Sequence, residues 1–451
     1  MSVLSLNVPQ ASHSFLSFDG GVKAIGILQQ PDRYSYWDAK KFQSPRISRG
    51  SGLSYTGASF LNGGLSVSHA SFCRVIDFDS VKKVVEVEAG ITLFSLHSFL
   101  SLHGLYLPVQ PGHGGITVGG CIAADVHGKN HVRDGTFTSQ VVSLTLHHPS
   151  HGTIELSSEK EPELFRLTCG GYGLTGHIIR ARLLATEQPS STVEIKTVAF
   201  TDAISGLTQL SDVARDVDFA YTWHEMVGSS KSFGSGYIFH SQFIQADHSS
   251  KIKINHADLP HLSSEWRAAL PFKFLNPLST RAMNVFYRQL QHAHKGKRLP
   301  LHQALFPIHQ SQIYFKLFGA LGFHEYQVIL PIEAISEYLN LIKNYVRQHG
   351  ITVTLGSAKA FDQSQQLLRF TGRGICFALN FPRSEAGLRF MSFLDDQIIN
   401  LGGIPSIIKD SRLPRKVLDA CYPEADEFRS SLFAFDPKRI FRSELSERLG
   451  L

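Results

Sequence analysis

Cysteine is scarce in this chain of 451 residues: there are five, Cys73, Cys121, Cys169, Cys376 and Cys421, far apart and never spaced as CxxC. An odd, scattered set excludes a disulfide framework and a structural zinc site and suits a reducing compartment, so a cytoplasmic protein is expected. Long apolar runs are missing too. No stretch reaches the roughly 18 uncharged apolar residues that span a bilayer. The first lysine is Lys23, so the N-terminus has no basic region ahead of an apolar core and reads as no secretory signal. Charge is sparse, at 18% of residues, and the net +6 is scattered rather than clustered with aromatics, which argues against a nucleic-acid partner. A small positive excess fits an anionic substrate or a peripheral contact on the inner face of a membrane, although a solvated surface is its ordinary meaning.

What is there is a folded chain with 43% hydrophobic residues, too long for one core, so two domains are expected. Residues 66–93 read as strands around a turn, with Val84, Val85, Val87 and Ala89 typical of a half-buried strand. LFSLHSFLSLHGL, from Leu93, has helical spacing and stops at Gly104, and residues 139–157 alternate as a hairpin around Pro-Ser-His-Gly. After residue 188 come a strand in VEIKTVAF, a helix in DAISGLTQLSDVARD, and strands in FAYTWHEMV, SGYIFHSQF, GFHEYQVILP and ITVTLGSAKAF. AISEYLNLIKNYVRQHG reads as a helix ending at Gly350, and residues 253–312 give the weakest pattern.

Glycine is concentrated in three places: RGSGLSYTGASFLNGG from Arg49, PGHGGITVGGCIAADVHGKNHVRDGTF from Pro111, and GGYGLTG from Gly170. Glycines at this density let backbone N–H groups approach a large ligand, so the segments read as a cofactor cradle. The third matches GxGxxG literally, but HIIRARLLA follows it with the alternation of a strand, whereas the dinucleotide fingerprint needs a helix there. A Rossmann site is therefore rejected. His127 and His131 stand four apart, yet Gly128 follows the first and no third ligand is evident, so no metal is expected.

The three segments, in this order, resemble the FAD-binding half of the vanillyl-alcohol-oxidase (PCMH-type) flavoenzymes. TVGGCIAADVHGKNH, RGSGLSYTGASFLNGG, GFHEYQVILP, GICFALNFP, IIKDSR and the tail CYPEADEFRSSLFAFDPKRIFRSELSERLGL are similar, more narrowly, to the decaprenylphosphoryl-ribose 2-oxidase family. The resemblance implies an α+β protein. Residues 1–188 would form a PCMH-type FAD-binding domain of two α+β subdomains, and 189–408 a substrate domain with an antiparallel sheet covered by helices. Residues 409–451 would return to the FAD domain.

The resemblance also implies site residues. Arg49, Gly50, Ser51, Gly52, Leu53, Ser54 and Tyr55 match the pyrophosphate loop. Pro111, Gly112, Thr117, Gly119, Gly120, Ala123 and Asp125, then His127, Asn130, Gly135, Thr136 and Phe137, match the flavin segment. Gly171, Gly173 and Gly176 match the third loop, with Ile178 and Ile179 near the adenine. Lys409 matches a lysine near the flavin N1 and C2 carbonyl, where a cation stabilises negative charge on the ring. It joins His127 and Tyr55 as a catalytic candidate. Lys129, Phe318, Gln327, Lys359 and Cys376 are the candidates for the substrate pocket, and a lysine beside the substrate would suit a phosphate.

The chain also departs from these patterns. Related alditol and aldonolactone oxidases carry a flavin-linked histidine where Leu53 stands, so FAD is expected to be held non-covalently. Cys376 replaces an Asn, Ala378 a Cys and Asn380 an Asp of the members that oxidise the mycobacterial lipid, and Cys376 reads as a buried strand residue rather than a nucleophile. The implied reaction is hydride transfer from a secondary hydroxyl of a polyprenyl-phosphate-linked pentose to flavin N5, with a short-chain reductase completing an epimerisation. The alternatives are an aldonolactone or alditol oxidase acting on a free sugar derivative, and a catalytically silent flavin-fold protein.

Overall fold

Alternation in the sequence becomes sheets, and the sheets place the site. The computed structural model describes residues 12–37, 45–227, 232–244, 272, 274–293, 296–310 and 312–451. A first, four-stranded sheet runs in the order Ser12–Leu16, Lys23–Gln29, Leu65–Ser68, Arg46–Arg49, its last three strands parallel. A second sheet of five antiparallel strands has the order Val75–Asp79, Val84–Glu88, His177–Leu184, Val141–His148, Gly152–Ser157. Its core joins Val85, Val87, Leu144 and Leu146 to Leu93, Leu96 and Leu100 of the helix Leu93–Leu102 and to Val118, Cys121 and Ile122 of the helix Val118–Ala124. Each fully buried aliphatic side chain of this kind contributes about 1.5–3 kcal/mol.

The third sheet has eight strands, every pair antiparallel: Gly296–Pro300, Thr192–Phe200, Gly236–Phe243, Phe219–His224, Leu355–Asp362, Arg373–Pro382, Phe323–Leu330, Ile404–Pro405. Side chains of a strand alternate between faces, and here the alternation divides labour. Tyr326, Val328, Leu330, Ile375, Phe377 and Leu379 pack against Leu207 and Leu210 of Ala203–Val213, Ile342 and Val346 of Ile335–His349, and Leu394 and Ile398 of Glu385–Asn400. Glu325, Gln327, Cys376, Ala378 and Lys359 occupy the intervening positions and so point away from the helices. The strand and helix readings made after residue 188 correspond to these elements. Residues 253–271 lie outside the described residues, and the helix Pro277–Ala293 was not foreseen.

The C-terminal segment is laced into the first half of the chain. Arg46 N–H donates to the Ile440 carbonyl at 2.8 Å, and Arg442 N–H to the Arg46 carbonyl at 3.0 Å. Arg166 pairs with Glu424 and Glu427 at 2.6 Å each. Among the described residues no helix is long and apolar enough to cross a membrane.

Candidate functional site

The loop after Arg46–Arg49 turns sharply at Gly52, whose φ of +69° is the left-handed region that favours glycine. Among the described residues nothing accepts a hydrogen bond from the backbone N–H groups of Gly50, Ser51, Gly52, Leu53 or Ser54. A run of free amides is an anion-binding concavity. The Ser54 hydroxyl is turned inward instead and accepts from the Thr56 and Ala58 amides at 3.3 Å each. Gly50 lies against the second glycine segment, since a Cβ there would meet Thr117 Oγ1 at 2.3 Å. Thr117 caps the helix Val118–Ala124 by accepting from Gly120 N–H. A Cβ at Gly119 would meet Ala89 Cβ at 3.0 Å, so this glycine is demanded by the fold itself. Gly120 differs: its added Cβ would find only Thr117 Oγ1 at 3.2 Å and Ile116 Cγ2 at 3.6 Å.

Several of the expected cofactor residues are braces in this structure. The Asp125 carboxylate accepts from the Thr136 hydroxyl (2.9 Å) and from the Thr138 amide and hydroxyl (2.9 and 2.7 Å), which closes the Gly135-Thr136-Phe137 turn. Phe137 is buried in the core of the second sheet. Asn130 donates to the Pro108 carbonyl at 2.9 Å, while its buried Oδ1 has no partner among the described residues. Pro111 and Gly112 are partly buried, with Gly112 accepting from Ile308 N–H. Ala123 packs at the edge of the same core and its carbonyl accepts from Tyr172 N–H, joining the second glycine segment to the third. Gly171 lies tight on the Leu167 carbonyl and Gly176 on that of His147, and Gly173 has positive φ. Ile178 enters the second-sheet core, whereas Ile179 packs with Trp37, Leu65, Val67 and Phe72. The strand His177–Leu184 follows directly, as the rejection of a Rossmann site requires.

The polar HGKNH cluster meets the outward face of the eight-stranded sheet. The His127 ring lies edge-on to Phe361 at 4.9 Å, and its Nδ1 is 3.2 Å from the Gly128 carbonyl. That carbonyl can only accept, so Nδ1 carries the hydrogen and Nε2 the lone pair. Burial, then the charge of Lys359, holds the His127 pKa well below the usual value, which keeps the ring neutral. His131, the other half of the apparent metal pair, is stacked on Phe361 at 3.7 Å and committed to Thr371 Oγ1 at 3.0 Å. Among the described residues no three His, Cys, Asp or Glu side chains gather as metal ligands. Lys129 Nζ donates to the Ala304 and Leu305 carbonyls at 3.0 Å each, so the structure uses this pocket candidate chiefly as a tie, with one donor left. Burial pushes its pKa down to about 7.

On the sheet, Lys359 pairs in register with Cys376, and Gln327 with Ala378. Gln327 Nε2 donates to Cys376 Sγ at 3.2 Å, and the buried Gln327 Oε1 has no partner among the described residues. Burial drives the Lys359 pKa down and pushes that of the Cys376 thiol up to about 12, so the thiol is neutral and inert. Lys409 arrives from the loop after Ile404–Pro405. Its Nζ sits 3.9 Å over the Tyr55 ring and 3.3 Å from Glu325 Oε1, a cation–π contact and an ion pair together. The other Glu325 oxygen accepts from Asn380 at 3.1 Å. Burial foremost, then Glu325, raises the Tyr55 pKa, so the phenol stays protonated. Phe318 is buried in one cluster with Tyr55, Phe18 and Phe323.

Glu325 was missed, although it lies two residues from Gln327 on the same face. A period-two reading of EYQ would have found it. Phe361 and Thr371, which fix His131, and Arg369, 3.8 Å from Asp125, left no signal.

This chain matches the FAD binding domain family over residues 36–157. It is 30% identical over 422 residues to the decaprenylphosphoryl-beta-D-ribose oxidase of Mycolicibacterium smegmatis, which covers 90% of this chain and 89% of that protein. It is 39% identical over 139 residues to L-galactono-1,4-lactone dehydrogenase 2 of Oryza sativa subsp. japonica, covering 31% of this chain and 24% of that protein. With the L-gulonolactone oxidase of Mus musculus it shares 32% identity over 140 residues, 29% of this chain and 32% of that one.

Proposed function

The chain belongs to the decaprenylphosphoryl-beta-D-ribose oxidase family of FAD-dependent oxidoreductases, and from that premise we propose that it oxidises a secondary hydroxyl of a polyprenyl-phosphate-linked pentose to the ketone. Bound FAD supplies the hydride acceptor, at N5. The residues present fit that group: the free amides of residues 50–54 suit its pyrophosphate, and the missing side chain at Gly120 leaves backbone within its reach. Leu53 offers no nucleophile, so the cofactor is held without a covalent link.

Within this reading, neutral His127 takes the hydroxyl proton at Nε2 as the C–H bond is broken. Lys409, oriented by Glu325 and Tyr55, supplies fixed positive charge where negative charge develops, and such preorganised groups are worth most in a site shielded from water. Gln327 and Tyr55 keep hydrogen-bonding groups at the pocket wall. The ketone product calls for a reductase of the short-chain class if the outcome is an epimer.

The observation that carries the substrate class is a surplus of basic groups. The charges of Lys359 and Lys409 both press the His127 pKa down, Lys409 does the same to Lys359, and Glu325 is the carboxylate that opposes it at Lys359. A phosphate would offset that surplus. Lys359→Ala is therefore expected to weaken a phosphorylated substrate more than its dephosphorylated analogue by roughly 1.5–3 kcal/mol, the range of hydrogen bonds to charged groups. The comparison of kcat/KM for the two analogues checks it. Equal losses, or a wild-type preference for the unphosphorylated sugar, would move the assignment to an aldonolactone or alditol oxidase.

A further inference from the structure

The helix Pro277–Ala293 packs Met283 and Tyr287 inward yet leaves a row of large apolar side chains facing water. Thr280 and Asn284 are buried, and Arg288 is drawn inward to Glu225 at 2.7 Å. The opposite face exposes Leu278 (77%), Val285 (56%), Phe286 (62%) and Leu290 (42%). A helix on a soluble surface shows the reverse polarity.

The face does not stand alone. Phe272, Phe274, Ile313 and Leu321 are exposed beside it in the chain, and Phe274 N–H donates to the Leu317 carbonyl, which ties the two segments together. From residue 266 to residue 324 the sequence holds eight Lys and Arg and no Asp or Glu. Arg281 is exposed on the helix itself, and Lys297 lines a groove with Leu290 and Tyr287.

We infer that this face docks the protein on the surface of an anionic lipid bilayer, with the apolar side chains at the acyl boundary and Arg281 and Lys297 at the headgroups. An amphipathic helix with large apolar side chains and basic flanks is the form that lies in a membrane interface. The absence of acidic residues over the whole stretch removes the repulsion that anionic headgroups would exert. A protein partner would not require so one-sided a charge. The docking face backs onto the site, because Met283 and Leu275 pack in the cluster that contains Tyr55 and Phe318. The inference stands on the surface alone and does not need the lipid-linked substrate.

The test is flotation of the FAD-loaded protein with vesicles of phosphatidylcholine, with and without about one-third phosphatidylglycerol, and no sugar present. The wild type floats with the anionic vesicles, and roughly tenfold less with neutral vesicles or in high salt, since about 1 kcal/mol per basic residue is lost with the surface charge. The L278S/V285S/F286S variant, altered only at exposed positions, loses flotation at least about tenfold while keeping its flavin absorbance and Tm. If that variant does not fold, Phe286→Trp reports instead, through a blue shift of its emission on anionic vesicles alone. Three results overturn the inference: a wild type that stays out of the anionic vesicles, a serine variant that floats as well as the wild type, and a wild type that self-associates through this face in their absence. Because no substrate is used, failure here leaves the proposed reaction untouched.

Discussion

The two regions that meet at the site are built by opposite means. The glycine loops at 49–55 and 117–128 act through what they lack: free amides, close backbone contacts and no side chain at Gly120. The outward face of the eight-stranded sheet acts through what it carries, a set of charged and amide side chains at alternate positions of rigid strands, closed over by Lys409. A cradle made of backbone tolerates no bulk. A face made of side chains tolerates truncation without unfolding but loses rate. The lesson is that mutations in the two regions are expected to fail differently, in cofactor content on one side and in turnover on the other.

The largest effect is expected at Gly120. Its Cβ would press on the Thr117 hydroxyl at 3.2 Å, a side-chain atom that can shift by a few tenths of an ångström, so Gly120→Val is expected to fold and yet carry no flavin, because the branched side chain takes the ligand's space. Flavin released by acid into the supernatant is the measurement: present for the wild type, absent for the variant. A folded, fully loaded Gly120→Val protein would remove this loop from the cradle.

Lys409→Ala comes next, with the opposite signature. FAD is expected to remain bound while its reduction slows by a factor on the order of 10² to 10³, the usual cost of removing one preorganised charged group. Rapid-reaction absorbance checks it, and an unchanged rate would take Lys409 out of the chemistry.

The smallest effect is on stability and is shared by both regions. Burial lowers the pKa of His69, His97 and His224 to about 4 and of His131 and His324 to about 3, from 6.5. Between these values the unfolded chain binds protons that the native state refuses, so stability rises with pH there and is lost as pH falls from 6.5 toward 4. Each such histidine contributes up to about 1.4 kcal/mol per pH unit. Denaturant midpoints across that range test it, and a flat profile would mean that these rings protonate in the native state.

How much of this was legible follows the same division. Glycine, alternation and helix stops are local signals, so the three loops, the strand after GGYGLTG and the helix ending at Gly350 could be read directly. The site on the sheet depends on register between strands far apart in sequence, such as Lys359 opposite Cys376, and no local pattern encodes register. Glu325 could be read locally, two residues from Gln327 on one face, but its pairing with Asn380 could not. Asp125, matched to the flavin segment, also braces the turn at Thr136 and Thr138, and a carboxylate in a glycine-rich loop reads the same in either role. The helix Pro277–Ala293 was missed because the prolines and histidines of residues 253–312 break up the apolar spacing that marks a helix.

The central claim is flavin-dependent oxidation of a phosphate-linked pentose, and anaerobic mixing of the FAD-loaded protein with a polyprenylphosphoryl pentose tests it most directly. The account predicts that the flavin absorbance bleaches in a single turnover, faster than with the same sugar lacking phosphate. A flavin that stays oxidised against the phosphorylated pentose, or that bleaches only with a free aldonolactone, would contradict it.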